Sequence, residues 1–169
     1  AKRDLVAEYV EACRKKGMRI GFYYSLLDWR YPAYFAGPKG DPDGWARFLE
    51  YVHTQVRELC TNYGKIDVLW YDGWWPWKAE DWRSSELNAM VRKLQPDIVI
   101  NNRSGLPEDF DTPEKRIGPS PDPNRMWESC ITMNDHWGYS PRDRNWKNVR
   151  QLIHVLVWCA SRGGNYLLN

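Results

Sequence analysis

The chain has 169 residues, of which 43% are hydrophobic, and this length and composition suit one globular domain, or part of a larger one, rather than a disordered chain. Its formal net charge is +2, with Lys and Arg spread among Asp and Glu and no zinc-finger spacing, so we expect no binding to nucleic acid. No apolar run is long enough to cross a membrane, and the four cysteines and three histidines are too scattered to predict a metal site.

Hydrophobic periodicity predicts four helices and five strands. The helices carry apolar residues at helical spacing and the strands are short, apolar or β-prone runs. In chain order these elements are helix 3–16, strand 19–25, helix 42–59, strand 66–70, helix 84–94, strand 97–102, strand 127–131, helix 146–160 and strand 165–168. We expect Ser84 or Ser85 to cap the third helix. Residues 26–44 and 103–126 are predicted loops, and loops this long are usually functional.

The alternation of apolar strands with amphipathic helices predicts an α/β fold with a parallel sheet and helices outside it. About five strands are fewer than the eight of a closed (β/α)₈ barrel, and a doubly wound sheet fits the same alternation. However, no glycine-rich dinucleotide fingerprint and no P-loop follows a strand. The long loops all follow strands, where barrel enzymes build their active sites. We therefore favour a partial TIM-barrel-like fold. Cys13, Cys60 and Cys159 fall on apolar helix faces and are expected to be buried free thiols.

Asp72 is the first candidate for chemistry. It ends an apolar strand and is followed by Gly73 and then by three tryptophans, Trp74, Trp75 and Trp77. An Asp-Gly pair is also a common turn, which is the simpler interpretation. The aromatic surroundings favour a sugar site, because aromatic rings stack on the apolar faces of sugars. An ionised carboxylate there suits glycoside hydrolysis, whose transition state develops positive charge.

Glycoside hydrolysis needs a second carboxylate, and the sequence offers several. Glu114 lies in a loop after a strand, and Glu128 begins a later short strand. The competing acidic residues are Glu108, Asp109, Asp111 and Asp122. On composition alone, each of these acidic residues is more often a solvated charge in a loop than a catalytic acid. Sequence gives no distance between them, so the choice stays open at this point.

Three further side chains are candidates for substrate binding or support. Arg103 directly follows a predicted strand, where its planar guanidinium suits a carboxylate or a sugar hydroxyl, although a surface Arg is the commoner case. Trp137 is either a sugar platform or ordinary core. His136 shows no partner in the sequence, so we interpret it as a surface or supporting residue.

Taken together, six segments resemble the α-L-fucosidases of glycoside hydrolase family 29, in the order found in that family. They cover nearly the whole chain, and their combination is specific although no single segment is. The segments are 21–29 (GFYYSLLDW), 66–73 (IDVLWYDG), 101–103 (NNR), 112–114 (TPE), 127–130 (WESC) with 137–139 (WGY), and 163–169 (GGNYLLN).

The resemblance implies a retaining glycoside hydrolase that releases terminal α-L-fucose from fucosylated oligosaccharides, with no metal and no organic cofactor. It implies that Asp72 is the nucleophile. Glu114 resembles the general acid/base of many members, a position that varies across the family. Glu128 lies in a motif that has been assigned the same role and is kept as the reserve candidate.

The resemblance also implies four substrate-binding residues. Trp70 and Arg103 match residues of the fucose pocket, and Trp137 matches the aromatic that packs on the C5 methyl group of fucose. Tyr23 matches a pocket residue as well, with Tyr24 as the alternative.

The same resemblance predicts a single truncated domain over residues 1–169, equivalent to the third through seventh barrel strands. The upstream strands and the usual C-terminal β-sandwich are absent from it. Open sheet edges expose unpaired backbone groups, so we expect a homo-oligomer. A second hypothesis is a non-catalytic fucose-binding or inactive barrel fragment that self-associates.

Overall fold

The structure, a computed structural model, describes residues 2–118, 122 and 124–169. The described residues form six strands and five α-helices. The strands are β1 (Gly21–Ser25), β2 (Val68–Asp72), β3 (Val99–Ile100), β4 (Phe110–Asp111), β5 (Met126–Ile131) and β6 (Asn165–Leu168). The helices are α1 (Leu5–Lys15), α2 (Pro32–Gly40), α3 (Pro42–Asn62), α4 (Ser84–Leu94) and α5 (Val149–Ser161). Across the part of the chain described, no helix is both long enough and apolar enough to cross a bilayer.

The chain divides into two compact units, Ala1–Glu108 and Asp109–Asn169. The first contains a parallel sheet in the order β1-β2-β3, and the second a parallel sheet in the order β4-β5-β6. The predicted α/β class with parallel strands is therefore confirmed. The strand number differs, because β4 lies inside a segment predicted to be loop and has only two residues. The assignment to a partial barrel, and to one domain, stays a prediction.

Local capping explains where three helices begin. Asp4 caps α1 by accepting a hydrogen bond from the Ala7 N–H, and Asp41 caps α3 by accepting one from the Gly44 N–H. In α5, the Asn148 side chain accepts from the Gln151 N–H while the Gln151 side chain accepts from the Asn148 N–H. These reciprocal bonds fix the start of the helix three residues after the predicted one.

The cap predicted for α4 is wrong. Arg83 occupies the N-cap position, in the left-handed region with φ of 52°, and its side chain makes no capping bond. Ser84 is the first helical residue and is fully buried. Its hydroxyl donates to the Ser104 carbonyl oxygen at 2.6 Å instead of capping the helix. A contact with a distant segment of the chain therefore overrides the local capping preference.

Helix α2 occupies much of the segment that was predicted to be a loop. Pro32 opens it, and Gly37 kinks it with a φ of 71°. The indole of Trp77 packs against that kink, where a Cβ on Gly37 would lie 2.1 Å from the ring. Trp77 also donates from Nε1 to the Tyr34 carbonyl oxygen at 3.1 Å. This contact holds the segment after β2 against α2.

The core of the first unit lies between its sheet and the inner faces of α3 and α4. Fully buried apolar side chains from strands and helices meet there: Val52, Val56, Leu69, Leu87, Val91 and Ile100. Each side chain of this kind stabilises the fold by roughly 1.5–3 kcal/mol through burial. Trp82 is also fully buried, within an aromatic cluster that includes Trp45 and Phe48. The cysteines are free, with Cys60 and Cys159 buried as predicted and Cys13 only half-buried.

Candidate active site

Asp72 is the last residue of β2, and β1 ends beside it. The register pairs Ser25 with Asp72, and the Leu26 N–H continues the ladder by donating to the Asp72 carbonyl oxygen at 2.8 Å. The chain then turns sharply at Gly73, whose φ is 69°. A Cβ on Gly73 would lie 2.6 Å from Cβ of Leu27, so only glycine fits without displacing that residue. The turn leaves the Asp72 side chain at the carboxyl end of the sheet.

Both oxygens of the Asp72 carboxylate accept a hydrogen bond from a neighbouring side chain. Arg103 donates from Nη1 to Oδ1 at 2.9 Å, and the Tyr23 hydroxyl donates to Oδ2 at 2.7 Å. The Asp72 side chain is 21% exposed. A carboxylate offers about four acceptor positions, so these two bonds orient the group and leave acceptor capacity for a reacting atom.

Arg103, Trp70 and Tyr23 also contact one another. The Arg103 guanidinium carbon lies 4.7 Å from the centroid of the Trp70 ring, close enough for a cation–π interaction. Tyr23 and Trp70 are partners in the strand register, so their side chains leave the same face of the sheet, and their rings stack at 5.7 Å and 19°. With Asp72 these three residues form one contiguous group, which we call the Asp72 cluster.

Tyr24 lies on the opposite face of β1. Its hydroxyl donates to Oε1 of Gln55 on α3 at 2.8 Å, and burial raises the pKa of the Tyr24 hydroxyl. The alternation of side chains along a strand means that only one of two consecutive tyrosines can face Asp72. The structure places Tyr23, and not Tyr24, in the Asp72 cluster.

Asn101 supports the cluster and was not among the residues selected from the sequence. It is fully buried at the end of β3, and its side-chain amide bridges the backbone of Tyr71. The amide oxygen accepts from the Tyr71 N–H at 3.0 Å, and the amide nitrogen donates to the Tyr71 carbonyl oxygen at 2.9 Å. The same oxygen accepts from the Arg103 N–H at 3.4 Å. One side chain therefore fixes the residue before Asp72 and the turn that carries Arg103.

The turn that carries Arg103 is a 3-10 turn, Asn102–Ser104, and α4 holds it from behind. Asn88 donates to the Ser104 hydroxyl at 3.0 Å and to Glu108 at 2.6 Å. Arg92 donates to the other Glu108 oxygen at 2.6 Å. Glu108 is therefore held in a structural network. Arg103 itself is only 9% exposed.

In the second unit, Glu114 lies just beyond β4. It pairs with Cys130 in a parallel bridge, with the Cys130 N–H donating to the Pro113 carbonyl oxygen at 3.0 Å and the Lys115 N–H donating to the Cys130 carbonyl oxygen at 2.9 Å. Glu114 is exposed, whereas Glu128 is half-buried in the middle of β5. Because Glu128 precedes Cys130 by two residues, both carboxylates leave the same face of the sheet. Of the two residues, only Glu114 lies near the carboxyl end of this sheet.

Trp137 lies in the loop after β5 and is 39% exposed. The Lys115 ammonium is 5.8 Å from the centroid of the Trp137 ring, and it donates to the Asp135 carbonyl oxygen at 3.1 Å. Lys115 therefore brings the strand extension that carries Glu114 beside Trp137. His136 has a partner after all: its Nδ1 lies 2.7 Å from Oδ2 of Asp143. His136 is thus an exposed residue with a buried partner, in agreement with its interpretation as a surface or supporting residue, and the partner follows seven residues later.

The three tryptophans after Asp72 do not form one sugar platform. The Trp74 and Trp77 side chains are partly buried and pack against the core of the first unit. Trp77 also contacts α2, and the Trp74 carbonyl oxygen accepts a hydrogen bond from Trp82 Nε1 at 2.6 Å. Trp75 is 48% exposed. The aromatic surface beside Asp72 comes instead from Trp70 and Tyr23, which neighbouring strands supply.

Among the other acidic candidates, Asp111 is in an ion pair with Arg125 at 2.9 Å. Within residues 2–118, 122 and 124–169, no group of three or more His, Cys, Asp or Glu side chains is arranged to hold a metal ion. The residues selected from the sequence thus fall into two sets: the Asp72 cluster in the first unit, and Glu114, Glu128 and Trp137 in the second.

Comparison with known proteins gives matches over the whole chain. A sequence model of the Alpha-L-fucosidase family matches residues 1–169. Rattus norvegicus tissue alpha-L-fucosidase is 32% identical over 183 residues, which cover 99% of this chain and 38% of the rat protein. Alpha-L-fucosidase isoenzyme 1 from Paenibacillus thiaminolyticus has a TM-score of 0.86 and 39% identity, over 99% of this chain and 46% of that one.

An alpha-L-fucosidase from Lactobacillus casei, solved in complex with alpha-L-fucose product, has a TM-score of 0.80 and 33% identity over 99% of this chain and 57% of that one. The chain thus spans about 38% of the length of the rat relative. The family match extends over every residue, and sequence relatives and solved structures agree with it. This chain belongs to the alpha-L-fucosidase family.

Proposed function

We propose that this chain carries the catalytic chemistry of a retaining glycoside hydrolase that releases terminal α-L-fucose by double displacement. The observation that carries the proposal is the Asp72 carboxylate, oriented by Arg103 and Tyr23 at the carboxyl end of its sheet. A fixed carboxylate beside stacked aromatic rings suits a sugar substrate whose anomeric carbon becomes positive. Family membership and the fucose-bound Lactobacillus casei relative support the choice of fucose.

In the proposed first step, an Asp72 oxygen attacks the anomeric carbon of fucose while Glu114 donates a proton to the departing oxygen. The bond to the leaving group breaks as the bond to Asp72 forms. In the second step, Glu114 takes a proton from water, which displaces Asp72 and releases fucose with retained configuration. Arg103 and Tyr23 hold the nucleophile during both steps. From the family resemblance we propose Trp70 and Arg103 as residues that bind fucose, and Trp137 as the residue that contacts its methyl group.

Glu114 is preferred to Glu128 because of its place on the sheet. The carboxyl ends of parallel strands are where enzymes of this architecture assemble their sites. Glu114 extends beyond β4, is exposed, and precedes the lysine that reaches Trp137. Glu128 stands opposite Asn165 in the middle of a strand and is half-buried. A proton donor must reach the glycosidic oxygen, which the exposed position favours.

The test is release of a chromogenic phenol from an aryl α-L-fucoside by the chain and by its Asp72→Asn variant. We expect measurable turnover by the chain and a loss of about 10⁴-fold or more in the variant, because a nucleophile has no substitute. Asp97→Asn is the matched control, because the Asp97 side chain is 80% exposed and pairs only loosely with Lys65 at 3.5 Å. Equal turnover in Asp72→Asn and Asp97→Asn would refute the role of Asp72.

A second measurement identifies the covalent step. A fluorinated fucosyl inhibitor should leave a stable fucosyl label on Asp72, detectable by peptide mass spectrometry. A label on another residue contradicts the proposed nucleophile. Proton NMR of the first-formed fucose anomer checks retention, since inversion gives the opposite anomer first.

The alternative, a non-catalytic fucose-binding or inactive fragment, predicts binding without turnover. Small displacements of catalytic groups lower the catalytic rate strongly. In the alternative, a chain that spans 38% of the length of the rat relative retains the Asp72 cluster but has no measurable turnover. Calorimetric titration with fucose beside the turnover assay separates the two. Heat of binding with no phenol release from a folded sample favours the alternative.

We also retain two structural proposals. Helices connect β1 to β2, β2 to β3 and β5 to β6, each a parallel pair, which supports assigning the chain to part of a (β/α)₈ barrel, as one truncated domain. Self-association through open sheet edges follows from the unpaired backbone groups of edge strands. Apolar exposure on α5, where Val149 is 72%, Ile153 51% and Val157 59% exposed, supports self-association independently. Sedimentation velocity tests the second proposal. A monomer at micromolar concentration contradicts it.

A further inference from the structure

A His–Asp pair in the loop after β5 has no role in the mechanism above. His136 Nδ1 lies 2.7 Å from Oδ2 of Asp143. The Asp143 side chain is 3% exposed, whereas that of His136 is 59% exposed. The imidazole therefore turns Nδ1 inward to a buried carboxylate and presents its Nε2 edge to solvent.

Both oxygens of the Asp143 carboxylate accept hydrogen bonds within this loop. Besides His136, Asp143 accepts the Asp135 N–H on Oδ2 at 2.9 Å and the Asn145 N–H on Oδ1 at 3.0 Å. The hydrogen bond from His136, followed by those backbone bonds, lowers the pKa of the Asp143 carboxyl. An ionised carboxylate only accepts hydrogen bonds, so the proton of a neutral His136 resides on Nδ1 and Nε2 carries the lone pair.

The loop around the pair is cross-linked by its own side chains. The His136 N–H donates to the Asn134 side chain at 3.2 Å, and the Asn145 amide donates to the Asp135 carboxylate at 3.1 Å. Lys147 donates to the Asn134 carbonyl oxygen at 3.2 Å. These bonds hold the backbone around His136, and the bond to Asp143 orients its imidazole.

The next residue is the exposed aromatic Trp137. Its carbonyl oxygen accepts a hydrogen bond from the Asn169 side chain, so its backbone is held as well. An exposed aromatic ring and an imidazole nitrogen on consecutive residues offer the two kinds of contact that a sugar ring uses: apolar C–H groups pack on the aromatic ring, and a hydroxyl donates to the nitrogen. Lys115, which follows Glu114, lies over the same indole.

We propose that His136 Nε2 accepts a hydrogen bond from a hydroxyl group of the leaving saccharide, the sugar from which fucose is released. This inference rests on the proposed function. The leaving saccharide is chosen rather than fucose because a terminal sugar is enclosed by its pocket, whereas the remaining glycan stays at the surface. The 59% exposure of the His136 side chain fits the outer sugar. His136 is then a residue that determines specificity for the leaving group.

The test measures binding in the Asp72→Ala background, which needs no turnover. The probes are a fucosyl-N-acetylglucosamine disaccharide, in the linkage that binds Asp72→Ala most tightly, and methyl α-L-fucoside, which lacks the second sugar. We expect His136→Ala to weaken disaccharide binding about tenfold, the loss of one hydrogen bond, and to change methyl fucoside binding less than twofold. His136→Gln, which keeps a polar group near the Nε2 position, should restore binding to within about threefold.

The matched control is His154→Ala, the same change at an exposed position of α5. It should alter neither dissociation constant, and melting temperatures establish that each variant is folded. Equal weakening of both ligands by His136→Ala, or no weakening of either, overturns the inference. Disaccharide binding that depends on His136 in a chain without turnover supports the inference while contradicting hydrolysis. Failure of both probes to bind the Asp72→Ala parent contradicts both proposals.

Discussion

The Arg103 guanidinium donates to the Asp72 carboxylate at 2.9 Å, between side chains that are 11% and 21% exposed. The two residues come from the carboxyl ends of neighbouring strands, 31 positions apart in the sequence. An ion pair this well shielded from water depends on geometry more than a surface pair does, because solvent screening is weak and the fork of the guanidinium must match its partners.

The first prediction concerns this geometry. Arg103→Lys retains the positive charge but loses the planar group that contacts Trp70 at 4.7 Å and Asp72 together. We expect kcat/KM on an aryl α-L-fucoside to fall by roughly 10²-fold, in the range found when one oriented donor is removed from an active site. Arg150→Lys, on the exposed face of α5, is the matched control and should match the parent chain. An Arg103→Lys variant with unchanged kcat/KM would show that charge alone suffices.

The second prediction separates two adjacent tyrosines. Tyr23→Phe removes the hydroxyl that donates to Asp72 and keeps the ring that stacks on Trp70. We expect kcat to fall about 10- to 100-fold with little change in stability, because Tyr23 is 62% exposed. Tyr24→Phe removes the bond to Gln55 and should cost about 1 kcal/mol of unfolding free energy while leaving kcat within twofold. If Tyr24→Phe lowers kcat and Tyr23→Phe lowers only the unfolding free energy, the assignment of Tyr23 to the Asp72 cluster is contradicted.

The third prediction concerns Asn101, whose amide bridges the Tyr71 backbone. Asn101→Ala leaves a buried N–H and a buried carbonyl oxygen without this partner, so unfolding free energy should fall by about 1–3 kcal/mol. Because the same amide accepts from the Arg103 N–H, kcat should fall more than KM changes. Urea unfolding and steady-state kinetics measure the two effects. Asn62→Ala, at an exposed position, should stay within about 0.5 kcal/mol of the parent.

The contact between Asp72 and Arg103 shows where sequence reasoning succeeds, and the two tyrosines show where it does not. Asp72 and Arg103 were selected because each follows an apolar run, and parallel strands bring their carboxyl ends to one edge of a sheet. Periodicity and strand order therefore indicated the position of both residues at the strand ends, and the structure adds the contact between them. Tyr23 could not be chosen over Tyr24 from the sequence, because the choice depends on the face that each strand presents. The register with β2 supplies that information.

Other features depend on contacts that no local pattern encodes. The Asn101 amide acts on Tyr71, 30 residues away, and an Asn after a strand predicts no such bond. Ser84 lost its expected capping role because its hydroxyl meets Ser104. Helix α2 contains Gly37 and Pro38, two residues typical of loops, and its kink is filled by Trp77 from a distant segment. In each case a long-range contact outweighs local propensity.

The fourth prediction distinguishes the two candidate proton donors. Glu114→Ala should lower kcat/KM on a fucosylated saccharide by about 10²–10⁴-fold, because the departing sugar oxygen needs a proton. An aryl fucoside with an acidic phenol should lose much less in the first step, and added azide should accelerate the second step and give fucosyl azide. Glu128→Ala should show neither pattern. If Glu128→Ala shows this behaviour and Glu114→Ala does not, the two roles are exchanged.

The fifth prediction concerns the Cys60 thiol. Cys60 is 3% exposed, and burial raises its pKa to about 11 from an ordinary value of 9.0. The thiolate is the reactive form, so iodoacetamide at pH 8 should leave Cys60 unmodified in the folded protein. Cys13 is only half-buried and should be alkylated first. Mass spectrometry measures the extent of alkylation at both cysteines. A sample unfolded in urea is the fully reactive control. Rapid native labelling of Cys60 contradicts its burial.

The same pKa shift fixes the sign of a pH dependence. A thiol whose pKa is higher in the folded than in the unfolded state contributes stability that is fully present below the unfolded value of about 9. Between about pH 9 and pH 11 the unfolded chain loses that proton first, so the contribution declines by at most about 1.4 kcal/mol per pH unit. Unfolding free energies of the parent and of Cys60→Ala should therefore converge as pH rises across this window. A constant difference from pH 8 to pH 11 would show that Cys60 stabilises the fold through packing alone.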